Sequence, residues 1–418
     1  IQRVLRRTGV FDHTHTLFDP VSRVSEFRLS RTGRNTKRRP GIGTYRPQQR
    51  HATMVLNFNV FKKSSADGKL ILYLSKRNIV DHITFVDPVD GVVLLDNSYL
   101  KNSKIFGQIV CSFRYGRKDD EMMGLCFQKD MYLASAQIYP PRDNDDTFKP
   151  SKIQDCLISK LGSNAMPFRL KVPENAPASV ILQDGTTSLA DACGVQYYVK
   201  IFAGESETDH NRAKSSVAMR IRKIQFAPVM RPLSRHPCTI VRKDFMFSPG
   251  QLELEAVLDK QVYTHGENVL VTICIRNNSN KMVKKIKLMM QQIVDIVIFQ
   301  NGQCRTALTA AETQEGCPIL PGSSLQKTVV MTPTLENVKG RYGVALEDQF
   351  NDKQEPALAS SVLISSSDIK DVFGIIVSYS VKVKLYLGAL GGELTAELPF
   401  LIMHSKPEKK TTHSITAS

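Results

Sequence analysis

Tryptophan is absent from this sequence, and its eight cysteines, at 111, 126, 156, 193, 238, 274, 304 and 317, include no CxxC pair. That spacing excludes zinc-finger and thioredoxin-like motifs, and scattered cysteine of this kind reads as reduced, buried thiol. No apolar run approaches the roughly 18 residues that a membrane-spanning helix needs. The run around Ile296–Phe299 is interrupted by Asp295 and Gln300. No apolar leader follows a charged start, which argues against secretion. Enzyme signatures are missing too: there is no GxxxxGK[ST] loop, GxSxG elbow, HExxH helix or GxGxxG turn after a strand. Histidine is scarce, at nine residues, and His82 and His265 stand alone, so they read as structural or exposed. His13-x-His15 is too sparse for a metal site. A binding protein without metal, cofactor or catalytic step is the expectation.

Of 418 residues, 42% are hydrophobic and 23% charged, a balance that belongs to folded chains. The length suits two or three domains. The net charge is +16, and it is unevenly spread. Residues 1–53 hold eleven Arg and one Lys against Asp12, Asp19 and Glu26, a balance of +9. Residues 54–418 hold 44 basic and 37 acidic side chains, a balance of +7. The first segment has no methionine or cysteine, and the first methionine is Met54. It reads as a disordered or spurious leader with no fold, in preference to a basic targeting or nucleic-acid-binding arm.

From Met54 onward the dominant period is two. Ile109, Cys111, Phe113 and Tyr115 alternate with Val110, Ser112 and Arg114. Val195, Tyr197, Val199 and Ile201 do the same, as do Val381, Val383, Leu385 and Leu387 against Lys382, Lys384 and Tyr386. Such alternation predicts antiparallel sandwich strands with one face buried. Asp67-Gly68, Asp90-Gly91, Asp184-Gly185 and Asn301-Gly302 read as turns between them. One segment differs: Ile153, Leu157 and Leu161 form a helical stripe, with capping-box spacing at Ser151 and Gln154 and a stop at Gly162. A single short helix lying on a sheet is predicted there. Three prolines within 228–237 mark a hinge. The expected organisation is all-β: a domain over 54–227, the hinge 228–237, a second domain over 238–405, and a short disordered tail over 406–418.

A series of motifs punctuates these strands. Phe61-Lys62-Lys63 and Lys76-Arg77 close the first two strands, followed by Asp81-His82 and Asp87-Pro88-Val89-Asp90-Gly91. Next stand Phe113-Arg114-Tyr115-Gly116-Arg117, Met123-Gly124-Leu125, Ile221-Arg222-Lys223 and Asn277-Asn278-Ser279-Asn280-Lys281. Val283-Lys284-Lys285-Ile286-Lys287 and Glu397-Leu398-Pro399-Phe400 complete the series. In this order the chain resembles the arrestins over about 54–406, with wording most similar to the insect photoreceptor members. The resemblance implies two hinged, immunoglobulin-like antiparallel β-sandwich domains with one short helix on the first. It also implies binding to activated, phosphorylated G-protein-coupled receptors, rhodopsin among them, with G-protein coupling blocked. The implied location is cytoplasmic, at the inner face of the photoreceptor membrane.

A phosphoserine or phosphothreonine carries about −1.5 to −2 charges and three strong acceptors, for which Lys and Arg are the natural partners. The resemblance implies that Lys62, Lys63, Arg77 and Lys160 form the phosphate-binding cluster. It implies that Arg222 lies in a buried charged cluster between the domains with Asn78, Glu347, Asp348 and Glu355. Arg222 also shares strand parity with Ile224 and Phe226, which predicts a face that turns apolar, where an Arg needs acidic partners. Tyr115, Gly116, Arg117, Lys118, Asp119, Asp120, Glu121, Met122, Met123, Gly124 and Leu125 match the finger loop that enters the receptor. Its methionines suit an irregular apolar cavity. Lys284, Lys285 and Lys287, with Arg305, form a candidate site for inositol phospholipids.

Two departures stand out. Asn78 occupies a position where the family usually has Asp, and the chain stops fifteen residues after Met403. The long tail, its further Arg and the clathrin motifs are not found, so a weaker dependence on receptor phosphorylation is expected. A competing reading is an arrestin-fold endocytic cargo adaptor that does not depend on phosphorylated rhodopsin. Nucleic-acid binding rests only on the charge of the leader and has no recognition motif.

Overall fold

The computed structural model describes residues 24–31, 56–114, 128–141, 148–183, 193–209, 215–228, 236–246, 249–297, 301–313, 315–350, 355–364, 374–388 and 391–404. In the first half the strands are β1 Ser25–Arg31, β2 Leu56–Ser64, β3 Leu70–Leu74, β4 Asn78–Asp81 and β5 Val89–Leu95. After helix α1, Asn97–Asn102, come β6 Lys104–Arg114 and β7 Gln128–Tyr139. Helix α2, Lys152–Leu161, precedes β8 Ala165–Leu170, β9 Val180–Leu182, β10 Gly194–Gly204 and β11 Ser216–Gln225. The second half holds β12 Cys238–Asp244, β13 Gln251–Leu258, β14 Val262–Tyr263, β15 Val269–Asn277 and β16 Lys285–Val297. It continues with β17 Asn301–Thr313, β18 Ser324–Met331, β19 Ala345–Glu347, β20 Gly374–Tyr386 and β21 Glu393–Ile402.

These strands make two sandwiches. In the first, the sheet β1-β2-β3-β5-β8 faces the sheet built on β9-β10-β11-β4 with β6 and β7. Leu72, Leu74, Ile109, Phe113, Val199 and Met219 are buried between them. In the second, β12-β13-β15-β18 faces β14-β21-β20-β16-β17 around Leu254, Ile273, Val377, Val381 and Leu398. The fold is all-β with two antiparallel sandwich domains, as alternation predicts. Strand β6 departs from the simple pattern, because Val110 and Ser112 on its second face are buried too.

Helix α2 forms where its stripe and cap place it. Ser151 Oγ accepts from the Gln154 amide at 3.4 Å, and Gln154 Oε1 accepts from the Ser151 amide at 2.9 Å. Leu157 packs with Val60, Tyr73, Val92 and Ala165 on the outer face of the first sheet. A second helix, α1, was not anticipated. Asp96 caps it, its Oδ1 accepting from the Ser98 amide at 2.9 Å.

Three other expectations are corrected. The leader over 1–53 was read as having no fold, yet β1 lies within it and pairs antiparallel with β2, Ser25 opposite Lys62 and Arg31 opposite Leu56. The Phe27-Arg28-Leu29-Ser30 alternation is the strand signal that its arginine content obscured. Asp90-Gly91 is no turn but lies inside β5, opposite Leu74 and Phe168. There a Cβ would stand 2.4 Å from Phe168 Cζ and 2.8 Å from Leu74 Cδ2, so the glycine is required by close packing. Finally, β19 belongs to the second half of the chain but pairs with β9, Ala345 opposite Leu182, so one sheet crosses the domain junction. Most of the proposed hinge, 229–235, and the tail beyond 404 lie outside the described residues. Among the described residues no helix is long and apolar enough to cross a membrane.

Gly91→Ala is expected to destabilise the first domain by about 1–3 kcal/mol, because the buried Phe168 ring and Leu74 side chain must both shift to admit the methyl. Urea unfolding checks this, and an unchanged midpoint would contradict the packing described.

Candidate functional site

The junction between the domains concentrates charge. Strand β11 pairs in parallel with β4, so that Arg222 stands opposite Asn78 and Gln225 opposite Asp81. Alternation along β11 sends Val217, Met219, Ile221, Lys223 and Gln225 into the first domain. It turns Arg220, Arg222 and Ile224 toward the junction. This reverses the expected parity: the apolar face belongs to Lys223, and Ile224 and Phe226 are only half-buried. The fully buried cation is therefore Lys223. Its Nζ lies 2.5 Å from Asp81 Oδ2 and donates to the Ala176 carbonyl at 2.6 Å, with both charged side chains 5% exposed. Gln225 Nε2 also donates to Asp81 Oδ2 at 3.1 Å.

On the outward face, Arg220 forms an ion pair with Asp348, whose side chain is fully buried. Among the described residues, Arg222 forms no ion pair with a carboxylate. Its Nε donates to Asn78 Oδ1 at 3.0 Å and its NH1 to the Asp348 carbonyl oxygen at 2.6 Å. Arg77 Nε donates to the Arg220 carbonyl at 3.0 Å. The Phe350 ring is inserted between two guanidiniums, 3.7 Å from that of Arg77 and 4.5 Å from that of Arg222. Burial, then repulsion from Arg220 and Arg222, pulls the Arg77 pKa down to about 10, with Glu26 of β1 opposing weakly. Burial likewise lowers Arg222, while Glu347 pulls it back up. Among the described residues, the carboxylates that face these guanidiniums from the second half of the chain are Asp348, paired with Arg220, and Glu347, which acts on Arg222.

Of the other carboxylates expected near Arg222, Glu347 is close enough to act on its charge but makes its hydrogen bonds to other partners. Glu355 is exposed. Glu347 Oε1 lies 2.5 Å from His404 Nε2 and 3.4 Å from His265 Nε2, and accepts from Ser360 Oγ at 2.9 Å. Burial alone would raise Glu347, yet the His404 hydrogen bond and both imidazoles hold it below the usual carboxylate range. That same bond raises His404, while burial lowers His265.

The four cations expected to form one phosphate cluster divide by face. Lys62 lies over the Tyr73 ring at 5.9 Å, on the side of α2, where Lys160 stands exposed in the last helical turn. Its neighbour Lys63 turns the other way, opposite Leu72, and is 6% exposed. Phe61 shares that inner side, with Arg77 5.6 Å above its ring. Adjacent residues of a strand point oppositely, so Lys62 and Lys63 leave β2 on opposite faces. The sequence reading missed Arg220, although it stands two residues before Arg222 and so shares its face. It also missed Phe350 and His404, whose neighbours in space are remote in sequence.

The finger-loop segment 115–125 lies outside the described residues; the β6–β7 pair that bears it closes at Arg114 opposite Gln128. In the second domain Lys287 pairs opposite Lys384 and Glu312, and Lys285 forms an ion pair with Glu312. Lys284 is exposed just before this strand. Arg305 is corrected out of the patch: it stands opposite Ile293, six positions and about 20 Å along β16, and its NH1 lies 3.7 Å from Glu397 Oε1. Lys384, opposite Lys287, is ion-paired with Glu393 at 3.1 Å.

A family model for the N-terminal domain of arrestin (or S-antigen) matches residues 70–227, and one for the C-terminal domain matches 248–407. The chain belongs to the arrestin family. It is 57% identical to an arrestin homolog of Heliothis virescens over 353 residues, 84% of this chain and 92% of that one. Over 358 residues it is 54% identical to Phosrestin-2 of Drosophila melanogaster, covering 85% and 97% of the two chains. The lateral eye arrestin of Limulus polyphemus is 41% identical over 353 residues, 84% of this chain and 86% of its own. In this arrestin the two matched domains meet at the Arg220–Asp348 pair.

Asp81→Asn is expected to destabilise the first domain by about 3–5 kcal/mol, because it leaves the Lys223 ammonium buried without its counter-charge. Adding Lys223→Met should recover much of that loss. Thermal and urea unfolding of the single and double variants measure the coupling, and additive losses would exclude it.

Proposed function

We propose that this chain binds an activated, phosphorylated G-protein-coupled receptor of the rhodopsin type and blocks its coupling to G protein. It acts as a binding regulator at the inner face of the membrane. The observation that carries the reading is the cluster of Arg77, Arg220 and Arg222 held across the domain junction around Asp348, in a chain of the arrestin family. The eye origin of a 41% identical relative supports a photoreceptor partner.

The physical course follows from the charge count. A receptor phosphate brings more negative charge than Asp348 and offers three acceptors. Drawn to Arg77 and Arg220, it competes with Asp348 for the guanidiniums. Loss of that pair leaves Asp348 buried and uncompensated, which costs several kcal/mol and drives it from the junction. One of its carboxylate oxygens already lacks a hydrogen-bond partner among the described residues. The Arg222 contact to the Asp348 carbonyl and the Phe350 stack part with it, and the domains rearrange. Lys62, Lys63 and Lys160 add attraction around the first domain, and Tyr115–Leu125 supplies the segment that enters the receptor. Lys284, Lys285 and Lys287 attract anionic headgroups at roughly 1 kcal/mol per charge.

Co-sedimentation with rhodopsin-bearing membranes tests this reading. Binding is expected in light with phosphorylated receptor, and little in dark or after phosphatase treatment. Asp348→Asn should raise binding to light-activated, unphosphorylated receptor several-fold, because the constraint on the arginines is removed in advance. Equal sedimentation in all conditions would sink the proposal. With vesicles containing inositol phospholipid, Lys284→Ala with Lys287→Ala should weaken vesicle affinity roughly thirtyfold, the loss of two charges at about 1 kcal/mol each.

A further inference from the structure

Three side chains from separate elements converge behind the arginine cluster. His265 follows β14, Glu347 ends β19 and His404 follows β21. Their donor atoms, the two Nε2 and Oε1, all lie within 4.8 Å of one another. None is exposed, and the two imidazoles are tilted by 37° with centroids 4.6 Å apart. We propose that His265, Glu347 and His404 form a zinc-binding site that clips the domain junction.

The chemistry of the donors carries the argument. Two imidazoles and one carboxylate are a donor set that suits Zn²⁺, with bonds of about 2.0–2.2 Å. In a tetrahedral site of that size the donors stand about 3.3–3.5 Å apart. His265 and Glu347 already stand at 3.4 Å, while His404 and Glu347, at 2.5 Å, must open by under an ångström once the shared proton leaves. Ser360 Oγ lies 2.9 Å from both His265 Nε2 and Glu347 Oε1, so a hydroxyl faces the fourth position, where water completes the shell. Because Ser360 now bonds the same two donor atoms, a bound ion takes over its place on them and leaves its hydroxyl beside the site. Arg222 is the nearby cation that opposes the metal, acting on both His404 and Glu347. Its guanidinium is directed into Asn78 and the Asp348 carbonyl. The Glu347 charge offsets one of the two that zinc brings.

Backbone pairing fixes two of the three ligands against the first domain. Glu347 sits on the strand that pairs with β9 of the first domain. The His404 carbonyl accepts from the Ala227 amide at 2.9 Å, next to the bridge between Phe226 and His404. A bound ion therefore ties both second-domain segments that touch the first domain. This site is independent of the receptor reading, and either can fail alone.

Isothermal titration of the untagged, chelator-treated chain with zinc alone tests the site. One zinc per chain is expected. His265→Gln and His404→Gln should each weaken binding more than about tenfold, as loss of a ligand should exceed loss of an outer-shell partner. Cys238→Ser, which removes an exposed thiol, should leave it unchanged. Absence of uptake, or His variants that bind like the parent, overturns the proposal. If a variant misfolds, cobalt(II) substitution in the parent chain decides. A tetrahedral spectrum without thiolate charge transfer supports the site, whereas thiolate bands or an octahedral spectrum refute it.

Discussion

Among the described residues, a buried carboxylate, Asp348, stands at the centre of three guanidiniums. Asp348 is held by Arg220, its carbonyl is held by Arg222, and the Phe350 ring two residues on is clasped between Arg222 and Arg77. A buried ion pair of this kind contributes little net stability, because desolvation consumes most of the Coulombic gain. Breaking it on one side is costly, however. In the proposed binding, a competitor that brings its own negative charge is what would spare Arg220 that cost. That asymmetry suits a contact that must hold at rest and open on demand.

The two charged layers of β11 do different work. Lys223 and Asp81 face inward, are almost dry, and secure β4 to β11 within the first domain. Arg220 and Arg222 face outward, are less buried, and look across to the second domain. Strand alternation assigns the roles: odd positions are structural, even positions are positioned to exchange partners. Gln225 joins the two layers, since its side chain binds both Asp81 and the Leu363 backbone of the other domain.

Much of the fold was legible because its signals are local. Period-two alternation at 195–201 and 381–387 identifies β10 and β20, and the Ser151–Gln154 cap with its apolar stripe identifies α2. Asp90-Gly91 misled because a glycine demanded by the Phe168 ring looks, in one dimension, like a glycine demanded by a turn. Strand β1 was hidden by the arginines around it. At the site, Arg222 and Asn78 were recognisable from motif and resemblance, and they do meet at 3.0 Å. Glu347, Asp348 and Glu355 stayed open as partners of Arg222, because choosing among them requires the path of a segment more than a hundred residues away.

The sequence by itself determined what depends on neighbours along the chain: sandwich strands, one capped helix, the family, and the cations at strand ends. These follow from backbone geometry, which repeats every two or 3.6 residues wherever the chain goes. Only the tertiary structure decided which cations share a face, that Arg220 rather than Arg222 holds the carboxylate, and that Glu347 stands between two histidines. Those outcomes depend on how β19 and the end of β21 approach the first domain. No local period encodes that approach; the burial of apolar faces across the junction does.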